Sequence, residues 1–131
     1  MEPEYRDDIG DTMHRDHPAW DPKLRYTNDT GRNDIVLAKV ACDRRNAYFY
    51  VRTQEPITPH TDPNWMMLLI RLAGDGLNVG WNGYRFVVNR CVIDGRTTLL
   101  ETSTGGWNWV QTARINYRVR GREMELTIPR D

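Results

Sequence analysis

Two stretches near the C-terminus, on either side of Gly121, alternate apolar and polar residues with a period of two. Ile115, Tyr117 and Val119 alternate with Asn116, Arg118 and Arg120. Met124, Leu126 and Ile128 alternate with Glu123, Glu125 and Thr127. Successive side chains of a strand point to opposite faces, so this spacing belongs to strands with one buried face and not to a helix. With Gly121 at the turn, the pair predicts an antiparallel hairpin. Met124, Leu126 and Ile128 face inward, and Glu123 and Glu125 face solvent.

The same signal recurs upstream. Ile35 to Cys42 is a short apolar run, Asp43-Arg44-Arg45-Asn46 is a turn, and Ala47 to Thr53 alternates again. Gln54 to Asn64 carries Pro56, Pro59 and Pro63 and reads as a long loop. Trp65 to Leu72 is nearly all apolar, as expected of a central strand covered on both faces. A Gly-rich loop, Ala73 to Gly80, leads to a strand over Tyr84 to Ile93, and Asp94-Gly95 turns the chain into Thr97 to Glu101. Trp107 to Ala113 and Arg114 to Arg120 complete the set before the final strand. About eight short strands and no helical period predict an all-β chain, an antiparallel β-sandwich of jelly-roll type. Its core spans residues 35–131. Residues 1–34, polar and rich in Asp, read as an irregular N-terminal wrap of the same domain with at most one short strand.

Composition narrows the functional classes. A chain of 131 residues is long enough for one buried core. The net charge of zero gives no general attraction to nucleic acid or to an anionic membrane, so neither is expected as a partner. Cys42 and Cys91 allow one disulfide but define no framework. Met1-Glu2-Pro3-Glu4 is not a signal peptide, and a domain cut from a larger secreted protein would lack one too, so the compartment stays open.

Aromatic rings cluster near loops. Trp107 and Trp109 lie two apart in a predicted strand, so their rings share a face, and Trp81 and Tyr84 stand at the end of another. Asn82, Arg85, Asn89 and Arg90 lie beside them. A pyranose has an apolar face and a rim of hydroxyls, so flat rings next to forked polar side chains suit a sugar. Any single Trp equally suits the core, since large aromatics dominate buried area. Five Trp in the chain make at least one exposed ring the expectation, and Trp65, beside the apolar run, belongs inside.

Asp7, Asp8, Asp11 and Asp16 form an oxygen-rich cluster with His14 and His17. Calcium takes six to eight oxygens, which makes these four acids the candidate ligands, although their spacing is not that of an EF-hand and a solvated acidic turn is the plainer reading. Catalysis has little to stand on. Ser103, the only serine, lies outside any nucleophile-elbow motif, and Glu123 and Glu125 fall on a solvent face. No phosphate loop, dinucleotide fingerprint or metalloprotease helix occurs. The chain is expected not to be an enzyme.

Six blocks stand in order along the chain: Gly31-Arg32-Asn33-Asp34-Ile35, Lys39-Val40-Ala41, Tyr48-Phe49-Tyr50-Val51-Arg52-Thr53, Asn64-Trp65-Met66, Gly80-Trp81-Asn82-Gly83-Tyr84 with Val88-Asn89-Arg90, and Glu125-Leu126-Thr127-Ile128-Pro129-Arg130. Together they resemble the family 9 carbohydrate-binding-module-like group of the DOMON-like β-sandwiches. The resemblance implies a non-catalytic accessory module of a larger exported polysaccharide-degrading protein. Its expected partners are a polysaccharide or oligosaccharide and the parent's catalytic domain, and its expected place is secreted, periplasmic or at the cell surface. Where such relatives commonly carry Asp, after the central strand and after the Gly-Tyr pair, this chain has Arg71 and Arg85, which weakens any role resting on those acids. Two alternatives accompany it. One is a spacer that packs on a catalytic domain without binding glycan. The other is a haem-binding electron-transfer domain, for which Met66, Met67, His14, His17 and His60 are the available ligands.

Overall fold

The computed structural model describes residues 3–19, 21–63 and 65–130, and among these it contains ten strands and no helix. They are β1 (Glu4–Arg6), β2 (Arg15–Pro18), β3 (Arg25–Asn28), β4 (Ile35–Cys42), β5 (Asn46–Thr53), β6 (Leu68–Ile70), β7 (Phe86–Val92), β8 (Thr97–Gly105), β9 (Asn108–Arg120) and β10 (Glu123–Pro129). Eight form one antiparallel sheet in the order β1-β4-β5-β10-β9-β8-β7-β6, and β2 and β3 make a separate hairpin.

The sheet curls on itself because β9 serves two neighbours in succession. Its first part pairs with β8, from Asn108 opposite Gly105 to Asn116 opposite Thr97, and its last turns to β10, with Tyr117 opposite Leu126 and Arg120 opposite Glu123. A strand that changes partners in this way makes the corner between two packed layers. Bulges sharpen the bend. Leu100 faces Ala113 while Glu101 faces Gln111, which leaves Thr112 as an extra residue. Trp65, Val88 and Leu100 from one layer and Met124, Leu126 and Ile128 from the other then meet in a single core with Ile115 and Tyr117 of β9. All three inward residues of β10 are buried, and Glu123 and Glu125 are exposed.

Three departures from the sequence expectation have local causes. Only Leu68–Ile70 of the apolar run is a strand. Met66 takes a left-handed backbone (φ 37°), and its carbonyl accepts a bond from Asn89 Nδ2 at 3.1 Å, so the chain there is tied to β7 by a side chain and not by a ladder. Residues 108–120 form one continuous strand, not two. The N-terminal segment contributes more than a wrap: β1 adds an edge to the main sheet against β4, with Tyr5 opposite Ala38, and β2 with β3 builds the hairpin beside it. Edge strands wetted on both sides carry no apolar period, so they leave no alternation to read.

The long β5-to-β6 connection is latched to the turn before β4. Asn33 exchanges two bonds with Thr58 (2.8 and 2.9 Å), and Arg32 Nε donates to Asp62 Oδ2 at 2.7 Å. Trp65 Nε1 donates to Thr58 O at 2.9 Å, and its ring meets Tyr117 edge-on at 5.5 Å. Cys42 and Cys91 are both free thiols.

Candidate functional site

An open groove of about 1420 Å³ separates the β2–β3 hairpin from β6, β7 and the latched loop. The hairpin supplies Arg15 and Tyr26, the loop His60 and Asp62, the sheet Leu69 and Arg90, and Trp81 and Trp107 close one end. Met13, Tyr26, Met67 and Trp107, all on its walls, are exposed large apolar side chains. Exposed apolar side chains gathered on one concavity are a general feature of ligand and partner grooves.

The aromatic end is built by turn chemistry. Asn82 (φ 50°) and Gly83 (φ 89°) both lie in the left-handed region, and Trp81 and Tyr84 exchange backbone bonds at 3.0 and 2.9 Å. This is the type I′ geometry that an Asn-Gly pair favours, and it sets residues 81 and 84 side by side. Their rings stack at 6.1 Å with 29° between planes. Trp107, on the turn entering β9, meets Trp81 edge-on at 4.7 Å and Trp109 at 5.3 Å. The four rings thus form a continuous row. Trp107 is its exposed member at 46 %, and the other three are half-buried. Trp109 Nε1 is buried with no hydrogen-bond partner.

The polar candidates divide. Asn82 supplies the turn and points to solvent. Arg85 lies within the fold's own bonding: its Nε and Nη2 donate to the two oxygens of Asp75 at 3.1 and 2.6 Å, while Arg71 donates twice to the Asp75 carbonyl. The Arg85 bonds hold the Asp75 carboxyl below its ordinary range, against the opposing effect of burial. Arg85 is absent from the groove walls, where the sequence expectation places it beside a sugar.

Asn89 and Arg90 do line the groove, and each also ties strands together. Asn89 sits in a bulge of β7 with φ 63° and is 3 % exposed; its Oδ1 is buried without a partner. Arg90 Nε and Nη2 make a bidentate contact with Glu101, itself 2 % exposed on β8. Those bonds raise the guanidinium pKa above its usual value, outweighing desolvation. Glu101 lies beneath Arg90 and fixes the plane of its fork.

The N-terminal acids are engaged separately rather than gathered in one group. Among the described residues no three His, Cys, Asp or Glu side chains converge as a metal would require. Asp16 is taken by Arg25 at 2.5 Å, and Asp7 Oδ1 accepts the Asp8 amide. Asp11 has its pKa raised, chiefly by burial and then by the charges of Asp7 and Asp34. Asp34 Oδ2 accepts the Gly10 amide at 2.7 Å, which makes this acidic turn a fixed part of the wrap. Of the haem-ligand candidates, Met66 packs on the core, His17 meets Tyr26 edge-on at 5.7 Å, and Met67 and His60 line the groove.

Sequence reasoning missed the far wall, Met13, Arg15 and Tyr26. The signal available was only an aromatic and a Met in a polar segment, and the hairpin that gathers them has four exposed or half-buried pairs and no apolar face. Set beside family models, curated proteins and solved structures, the chain matches none of them.

Proposed function

We propose that this chain is a non-catalytic carbohydrate-binding accessory module of a larger exported polysaccharide-degrading protein, and that the groove receives an oligosaccharide or polysaccharide. The observation that carries the reading is Trp107, 46 % exposed at the groove's end and braced edge-on by two further indoles. A ring so braced presents a flat apolar face without having to be ordered on binding. The unspent N–H groups of Arg90 lie on the same walls, which suits a hydroxyl oxygen that accepts.

The non-catalytic part of the reading is supported by where the candidate nucleophile and acid lie. Ser103 Oγ donates to Gly106 O at 2.9 Å, and Glu123 accepts the Tyr50 hydroxyl on the outer face of the sheet, away from the groove. The test is retention of the chain on a panel of polysaccharides in native affinity gels, with Trp107→Ala beside it. Retention that the variant loses supports the reading, and a panel without retention rejects it.

A second reading has its own observation. Ile9, Met13 and Leu24 of the N-terminal segment are each more than 60 % exposed, at 69, 66 and 62 %, and such side chains suit packing against the parent's catalytic domain. Substituting Ile9 and Leu24 with Ser would then loosen that contact and leave glycan retention intact.

A further inference from the structure

The charged groups on the groove walls are Arg15, Arg32, Arg90 and Asp62, with His60 beside them. Asp62, the single acid among them, is spent on Arg32 at 2.7 Å, and Arg32 also donates to Asn28 Oδ1 and Pro63 O at 3.1 and 3.2 Å. The acid that holds Arg90, Glu101, lies under the surface. Arg90 gives Glu101 only Nε and Nη2, so Nη1 has no partner among the described residues. Arg15, on the opposite wall, makes no ion pair among them. The groove therefore offers two guanidinium groups with donors to spare: Arg15 has no acid partner among the described residues, and Arg90 keeps Nη1 free beyond its contact with the buried Glu101, in a chain whose net charge is zero.

We propose that the groove takes an acidic saccharide, whose carboxylates are received by Arg90 on one wall and by Arg15 on the other while a neighbouring ring lies on Trp107. The proposal rests on the saccharide reading above and names its substrate class. A guanidinium fork matches a carboxylate in geometry and charge, and a hydroxyl needs neither two parallel donors nor a positive field. Because Glu101 already orients Arg90, the carboxylate meets a donor that loses little freedom on binding.

The experiment measures retention of the whole chain on polygalacturonate, polymannuronate, glucuronoxylan and hyaluronan, each beside its carboxyl-reduced form, at low and at high salt. The expected result is retention on at least one acidic polymer, about tenfold weaker on its reduced form, as loss of a charge-assisted bond implies, and weaker as salt rises. Arg15→Ala removes an exposed side chain without an internal partner and is expected to cost a similar factor while the fold stays intact. Arg90→Lys keeps the charge but loses the fork. Since it also disturbs Glu101, its folding is checked by near-ultraviolet circular dichroism, and Arg15→Ala decides if it fails to fold. Equal retention on an acidic polymer and its reduced form, or retention on neutral polymers only, overturns the acidic assignment and leaves the saccharide reading standing. No retention on any polymer overturns both.

Discussion

Trp107 and Trp65 carry the same side chain to opposite ends. Trp65, 3 % exposed, donates to Thr58 O and packs on Tyr117, so its loss opens a cavity under the latched loop. Trp65→Ala is expected to cost about 3–5 kcal/mol in urea unfolding. Trp107→Ala is expected to cost under about 1 kcal/mol, since half the ring is already wet, and to weaken glycan binding by about thirtyfold. Comparable losses of stability in the two variants would mean that Trp107 is structural. The Arg90–Glu101 contact yields a second prediction. Arg90→Ala strands a carboxylate that is 2 % exposed, and is expected to destabilise the fold by about 3 kcal/mol. Replacing both partners, as Arg90→Met with Glu101→Leu, is expected to recover most of that loss, because no unpaired charge is left behind. At this scale the sequence showed which residues were worth watching, Trp81, Trp107, Asn89 and Arg90 among them. Their partners were hidden. Asp75 and Glu101 lie ten and eleven residues from the arginines they hold, and only the loop and strand geometry brings them together.

Elements differ in how plainly they announce themselves. The inward and outward faces of β10 and of the second half of β9 were legible because one face is buried and the other wet, so burial wrote its period into the sequence. The Trp81–Tyr84 hairpin was legible in principle through Asn82-Gly83. What no pattern showed is how closely Gly80 approaches it. With φ +58°, a Cβ at position 80 would lie 2.1 Å from the Tyr84 carbonyl oxygen, a collision with backbone that no rotamer relieves. Gly80→Ala is therefore expected to open the turn, destabilise the chain by more than about 1 kcal/mol, and change the near-ultraviolet circular dichroism of the coupled indoles. Gly76, in the same loop with open space around it, is the control, and Gly76→Ala is expected to leave both readouts unchanged. If the two variants behave alike, the close approach at Gly80 is not what shapes the aromatic row. Bulges were illegible for a different reason. Thr112 is one residue extra in β9, and Asn89, Arg90 and Cys91 of β7 face the single Leu99 of β8; nothing in residue type distinguishes the extra residues from their neighbours.

The whole molecule has charges set against each other, and its stability should follow pH from both ends. Asp43 and Asp94 are held below the ordinary carboxylate range, the first chiefly by the Tyr48 hydroxyl and the second by the Arg96 amide. Carboxyls lowered on folding contribute stability that is present above their unfolded pKa and is lost as pH falls through the folded one, so acid should weaken the fold. Tyr50 is pushed up to about 12, first by burial and then by its bond to Glu123, from an ordinary value of 10.0. Its contribution is present below 10.0 and is lost as pH rises toward about 12. Asp11 runs against this pattern. Burial and the charges of Asp7 and Asp34 raise its pKa, so its ionised form opposes folding at neutral pH and ceases to do so in acid, where it takes up a proton. Asp11→Asn is accordingly expected to raise the urea midpoint near about pH 7 and to leave it unchanged near about pH 3, where the native side chain is neutral as well. The measurement separates the two roles open to the acidic turn. A carboxylate serving as a bonded cap would lose stability on conversion to Asn at neutral pH, and a lower midpoint there would show that Asp11 supports the wrap instead of straining it.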